Sequence, residues 1–122
     1  MADDARNLVV VLTHGIDHEL SSVAYTIACG GMTAGMKVAV FLTSSGVDTV
    51  RRRAADSTQV RPLDPLAELI RDFLRRGGQL WACTPCVKSR GYEPADLLEG
   101  VVITGASKMH ELLKAGAATV CF

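Results

Sequence analysis

QLWACTPC, residues 79–86, is an apolar run that passes without a loop into a C-x-x-C pair, and its surroundings decide which fold can hold it. Residues 79–83 read as a strand, and Pro85 suits the first turn of a helix. A cysteine at such a junction sits near about half a positive charge, which favours its thiolate. Lys88 and Arg90 add positive charge close by. Three chemistries use such an arrangement: dithiol–disulfide exchange, half of a zinc site, or a single nucleophilic cysteine that carries sulfur.

Upstream, NLVVVLT (7–13) and KVAVFLT (37–43) are short β-branched runs of the kind that form strands buried on both faces. Between them Leu20, Val23, Ala24, Ile27, Ala28 and Gly31 recur at helical spacing, with Asp17 as the N-cap and Gly35 as the stop. A polar stretch follows, with Arg51-Arg52-Arg53 in a short helical or irregular segment. Asp64-Pro65 then opens a helix, cap before proline. Its apolar stripe is Leu66, Leu69, Ile70, Phe73 and Leu74, and Gly77-Gly78 ends it. Downstream come a fourth strand, VVIT (101–104), a helix around Met109, Leu112 and Leu113, and a fifth strand, ATVCF (118–122). This alternation predicts an α/β fold, a parallel sheet with helices on both faces, in one domain spanning 1–122. Sites in such sheets form beyond the carboxyl ends of the strands. Cys83 ends the third strand and His14-Gly15 follow the first, so all three belong to that edge.

The predicted order excludes a thioredoxin domain. That fold places its dithiol early and follows it with an antiparallel hairpin and a cis-proline loop, whereas here two strands follow and Pro94 is the sole later proline. Disulfide chemistry of Cys83 and Cys86 on another scaffold stays open. His14-x-x-x-His18 and Cys83-x-x-Cys86 together have the ligand types of zinc, but a core of this size does not need a metal to fold, and none is expected. A lone nucleophile at Cys83 needs only a lowered pKa: near neutrality a few per cent of an ordinary thiol, of pKa about 8.5, is ionised. Such a sulfur can accept a sulfane sulfur atom as a persulfide and hand it to another thiolate. His14 is the candidate proton partner. A silent, buried Cys83 is the plain alternative. Cys29 and Cys121 read as core packing, as do Met32, Met109 and Trp81.

The 122 residues hold 13 acidic and 13 basic side chains, a balance that gives no reason to expect nucleic acid, and Arg51–Arg53 read as a solvated face. No G-x-G-x-x-G follows the first strand and no GK[ST] occurs, so no nucleotide cofactor is expected. The acidic start Met1-Ala2-Asp3-Asp4 lacks the basic region of a signal peptide. The run Leu8–Leu12 is far short of the roughly 20 residues of a membrane helix. A cytoplasmic protein with no membrane partner is expected, its cysteines reduced.

CTPCVKSRG (83–91) resembles the cysteine segment of the DsrE/DsrF-like family, which includes the TusD-type sulfur-relay subunits: a sulfur-carrying cysteine, then arginine and glycine at the places of Arg90 and Gly91. LVVVLTHGIDHELSSVAYTIACGGMTAG is similar to the family's opening unit, VAVFLTSSGV to its second strand and loop, and LLEGVVITGASKMHELLKAGAATVCF to its closing stretch. The resemblance covers nearly the whole chain. It implies a three-layer α/β/α domain with a five-stranded, mainly parallel sheet. It also implies homo-oligomers, trimers or hexamers, and a Cys83 that carries persulfide sulfur between partner thiol proteins, a sulfurtransferase-like activity. The chain departs from it at Cys86, where the family's sulfur carriers usually hold an apolar or small residue. A second thiol there can attack a Cys83 persulfide, release sulfide and leave a disulfide, the outcome of a reductase or redox sensor. A third reading is an oligomeric binding module without thiol chemistry.

Overall fold

The computed structural model describes residues 6–122, so the acidic start Met1–Asp4 lies outside it. Five strands, β1 (Asn7–Leu12), β2 (Lys37–Leu42), β3 (Gln79–Cys83), β4 (Val102–Thr104) and β5 (Ala118–Cys121), form one sheet in the order β4-β3-β2-β1-β5. Every pairing is parallel, with Val10 opposite both Val40 and Val120, and Cys83 opposite Thr104. Parallel neighbours need crossovers. These carry α1 (Glu19–Thr33), α2 (Leu66–Arg75), α3 (Thr84–Ser89) and α4 (Ala106–Lys114). The sheet and its helices are those expected, with Thr13, Thr43, Val101 and Phe122 falling just outside their strands.

Side chains alternate across a strand, and this alternation splits the core. Val10, Leu12, Val40, Leu42, Leu80 and Ala82 face a large cluster that includes α1, α2 and Val87 of α3. Val9, Ala39, Phe41 and Trp81 face the other side, where Met109, Leu112 and Leu113 of α4 pack on them. Three helices therefore cover one face and α4 covers the other, which gives the three layers.

The buried stripe of α1 differs from the sequence expectation. Ser21, Ser22, Ala24, Tyr25, Ala28 and Cys29 face inward, while Ile27 is exposed and Leu20 and Val23 are half-buried. The inward residues are small except for Tyr25, so the helix lies close on the sheet. The Cβ an alanine would carry at Gly31 would meet Leu8 Cδ2 at 2.9 Å. The Tyr25 ring packs edge-on against Phe73 of α2, its hydroxyl 2.9 Å from Thr49 Oγ1. The cap of α1 is His18 rather than Asp17: the His18 N–H bonds Gly15 O across a tight turn, and His18 Nδ1 accepts from the Leu20 N–H. In α2, Pro65 rather than Asp64 is the cap, because the Pro65 carbonyl already accepts the Leu69 N–H. The expected α2 stripe is buried from Leu66 to Phe73.

One further expectation fails at the sheet's edge. Cys29 is buried, but Cys121 is exposed, because β5 is an edge strand that no helix covers and all four of its residues are exposed. Met32 and Met109 are half-buried at the rims of the two clusters.

Candidate functional site

Three strand ends build the site. β3 delivers Cys83, which is the N-cap of α3, and Cys86 follows one turn into that helix with Pro85 between them. β2 ends beside it at Leu42 and turns through Thr43, the N-cap, into the 3-10 helix Ser44–Val50. Gly46 makes this turn possible: a Cβ there would lie 2.2 Å from the Leu12 carbonyl oxygen, so only glycine lets the turn sit against the end of β1. Ser44 takes φ +53, a left-handed conformation uncommon outside glycine. The Ser44 N–H is donated to Cys86 Sγ at 3.1 Å, and the Thr43 hydroxyl lies 3.6 Å from the same sulfur.

The electrostatics follow from these contacts. Burial is the largest single influence on the Cys86 thiol and pushes its pKa up. The Thr43 hydroxyl, the Ser44 N–H, the Cys83 thiol and the Arg90 charge together outweigh burial, and Cys86 ionises below the ordinary cysteine value. Cys86 is thus the sulfur of the pair that favours the anion.

Arg90 stands at the C-terminal end of α3, with Nη1 bonded to the Cys86 carbonyl oxygen at 3.2 Å and Nε 3.2 Å from Asp48 Oδ1. The Tyr92 hydroxyl donates to the same Asp48 oxygen at 2.6 Å. Burial first, then the Asp48 carboxylate, raise the Tyr92 pKa, so its proton stays in that bond. Asp48 therefore orients Arg90 and removes part of its charge from the thiols.

The expected residues do not all converge. Cys83, Cys86 and Arg90 do. Lys88 is exposed, and its ammonium makes no hydrogen bond or ion pair among the described residues. His14 lies in the β1–α1 loop, its ring stacked on His18 with centroids 3.9 Å apart. Both rings line a cavity of about 310 Å³ with Ser45 and Asp48, and no hydrogen bond joins His14 to either thiol. No group of three or more His, Cys, Asp or Glu side chains converges as metal ligands do among the described residues. Trp81, two residues before Cys83, is packed among Val9, Ala39 and Phe41. Thr43, Ser44 and Asp48 were not singled out from the sequence, although TSSG directly after the second strand places polar groups on the same sheet edge as Cys83.

This architecture defines a small parallel α/β protein with two cysteines, one helical turn apart, at the carboxyl edge of its sheet. The chain belongs to the DsrE/DsrF-like family, whose model matches residues 6–122. It is 27% identical over 105 residues to the uncharacterized protein MJ0989 of Methanocaldococcus jannaschii, 86% of each chain being covered. Its fold is similar to that of the ychN protein from E. coli (TM-score 0.77, 14% identity, covering 97% of this chain and 99% of that one). It is also similar to MTH1491 from Methanobacterium thermoautotrophicum, a protein of unknown function (TM-score 0.73, 20% identity, covering 96% and 99%). Among the described residues no helix is long and apolar enough to cross a membrane.

Proposed function

We propose that this protein carries sulfane sulfur and passes it to partner thiols, Cys83 bearing the persulfide and Cys86 accepting its proton. The observation that carries this reading is the approach of the Thr43 hydroxyl and the Ser44 N–H to Cys86 Sγ, one helical turn from Cys83. Cys86 takes the proton of Cys83, and the Cys83 thiolate attacks the outer sulfur of a donor persulfide. A bond forms to Cys83, the donor's sulfur–sulfur bond breaks, and the donor leaves as a thiolate. Attack on the outer sulfur by an acceptor thiolate runs the same step in reverse and returns Cys83 to its resting state. Arg90 balances the charge, and exposed Lys88 adds positive potential where an anionic persulfide arrives. Family membership supports the reading. The partners are thiol proteins and further copies of this chain in a trimer or hexamer, which sedimentation at working concentration tests.

The placement of Cys86 one helical turn from Cys83 also favours a second reading. A Cys86 thiolate can attack the inner sulfur of a Cys83 persulfide, expel hydrosulfide and leave a Cys83–Cys86 disulfide. Intact mass after treatment with a sulfane-sulfur donor separates the two. A carrier gains the mass of one sulfur atom, loses that gain in Cys83→Ser and keeps it in Cys86→Ser. A wild type that instead loses two hydrogens while Cys86→Ser retains the sulfur is a dithiol reductase, and an unreactive pair ends both readings.

A further inference from the structure

The arginine run is exposed, as a solvated face should be, and it also lines an open cavity. About 280 Å³ in volume, the cavity lies between the segment after the 3-10 helix, α2 and the chain leading to β4, with Arg51, Arg52, Arg53 and Arg71 around it. Its apolar wall is Ile70 and Leu74 of α2, faced by Leu98. The backbone holds the basic wall in place: the Leu98 N–H bonds Val50 O at 2.9 Å and the Arg52 N–H bonds Asp96 O at 2.8 Å. Arg53 takes φ +69, a left-handed conformation that costs a non-glycine residue free energy and tends to persist where a ligand is held.

Charge is concentrated here. Acidic and basic residues balance at 13 each over the chain, yet four arginines meet only Asp56 and Glu99 around this cavity. Asp56 pairs with Arg53, at 3.8 Å between exposed side chains. The other three guanidiniums have no carboxylate partner among the described residues. Arg51 lies over the Tyr92 ring, Arg52 donates from Nε to Ala95 O, and Arg71 forms neither an ion pair nor a side-chain hydrogen bond. A guanidinium's planar fork matches an oxyanion, and the apolar wall beside it matches a hydrocarbon body.

We infer that this cavity binds a small organic anion, with a phosphate or carboxylate head held by Arg71 and the 51–53 arginines and an apolar body against Ile70, Leu74 and Leu98. The volume admits a single ring with its acidic group. The site is separate from the thiol pair, so it stands whether or not Cys83 carries sulfur.

The test is a titration of the isotope-labelled protein, followed by amide shifts, with phenyl phosphate, benzoate, inorganic phosphate and benzyl alcohol as separate probes. Phenyl phosphate or benzoate should saturate shifts confined to residues 50–56, 67–74 and 97–99, and the tighter of the two identifies the head group. Inorganic phosphate and benzyl alcohol should each bind at least about tenfold more weakly, since each lacks half of the contacts. Arg71→Gln and, separately, Arg52→Gln should weaken the tighter probe about tenfold while the remaining amide spectrum stays in place. Equal binding of inorganic phosphate, shifts scattered over the surface, or variants that bind like wild type would overturn the inference. So would a short RNA that binds these amides more tightly than either ring acid, with a steep salt dependence, because the arginines would then be a polyanion surface.

Discussion

The sulfur of Cys86 gathers more hydrogen-bond donors than that of Cys83, and this imbalance can be read in reaction rates. A thiolate accepting hydrogen bonds keeps its negative charge at lower pH, so removing a donor moves the inflection of alkylation upward. Thr43→Val deletes one long contact and keeps the side-chain shape. At about 0.5 kcal/mol for so weak a bond, Cys86 should react with iodoacetamide roughly twofold more slowly below its inflection. Arg90→Gln should act in the same direction and further, because it removes the positive charge that lowers the Cys86 pKa. Lys88→Gln should leave the inflection where it is, since the exposed ammonium touches neither thiol. Rates followed against pH by peptide mass, one cysteine at a time, check all three, and an Arg90→Gln profile that overlays wild type would remove Arg90 from the site. Tyr25 behaves differently, because it is fully buried and burial drives its pKa far above the accessible range. Thr49 Oγ1 donates to Gly46 O, so Tyr25 is the donor in their pair, and Tyr25→Phe should cost about 1 kcal/mol in denaturant unfolding.

Among the elements, the turn from β2 into the 3-10 helix Ser44–Val50 decides whether the thiols see their donors. Gly46 is packed against the main chain of Leu12, and a methyl group at that position meets a carbonyl that cannot swing aside. Gly46→Ala should lower stability by about 3 kcal/mol or more in urea unfolding, and should slow Cys86 alkylation as Ser44 is displaced. Gly30→Ala, where a methyl group meets nothing, is the control. This turn also marks where sequence reading stops. The strands were legible because β-branched runs such as NLVVVLT satisfy the period-two rule on both faces. Cys83 was placeable because it ends one of those runs. The donors were not, since Thr43 and Ser44 differ in no local signal from any polar loop, and their approach to Cys86 depends on β2 pairing with β3. The inward face of α1 was misread for a related reason. Its apolar residues span most of the helix circumference, so hydrophobicity leaves the rotation open, and close approach to the sheet selects the small side chains and Tyr25 instead.

For the molecule as a whole, the layers differ in strength. One sheet face carries α1 and α2 with Phe73 fully buried between them, while the other depends on α4, none of whose residues is fully buried. Trp81, the one tryptophan in the chain, sits under α4 at 4% exposure with the Lys108 ammonium 5.2 Å from its ring centroid. Its emission therefore reports whether this layer is docked. Leu112→Ala should cost about 2 kcal/mol, the low end for a core truncation, because the side chain is only half-buried. The effect should appear first as a red shift of Trp81 fluorescence at denaturant concentrations where far-ultraviolet circular dichroism is still native. Phe73→Ala, at about 3–5 kcal/mol, should move both signals together, since it opens the larger cluster that α1, α2 and the sheet share. If Leu112→Ala also shifts the two signals in step, the layers unfold as one cooperative unit and the thinner face has no independent opening. If they separate, α4 and the strand ends it covers, Cys83 among them, form the part of the molecule that opens at least cost.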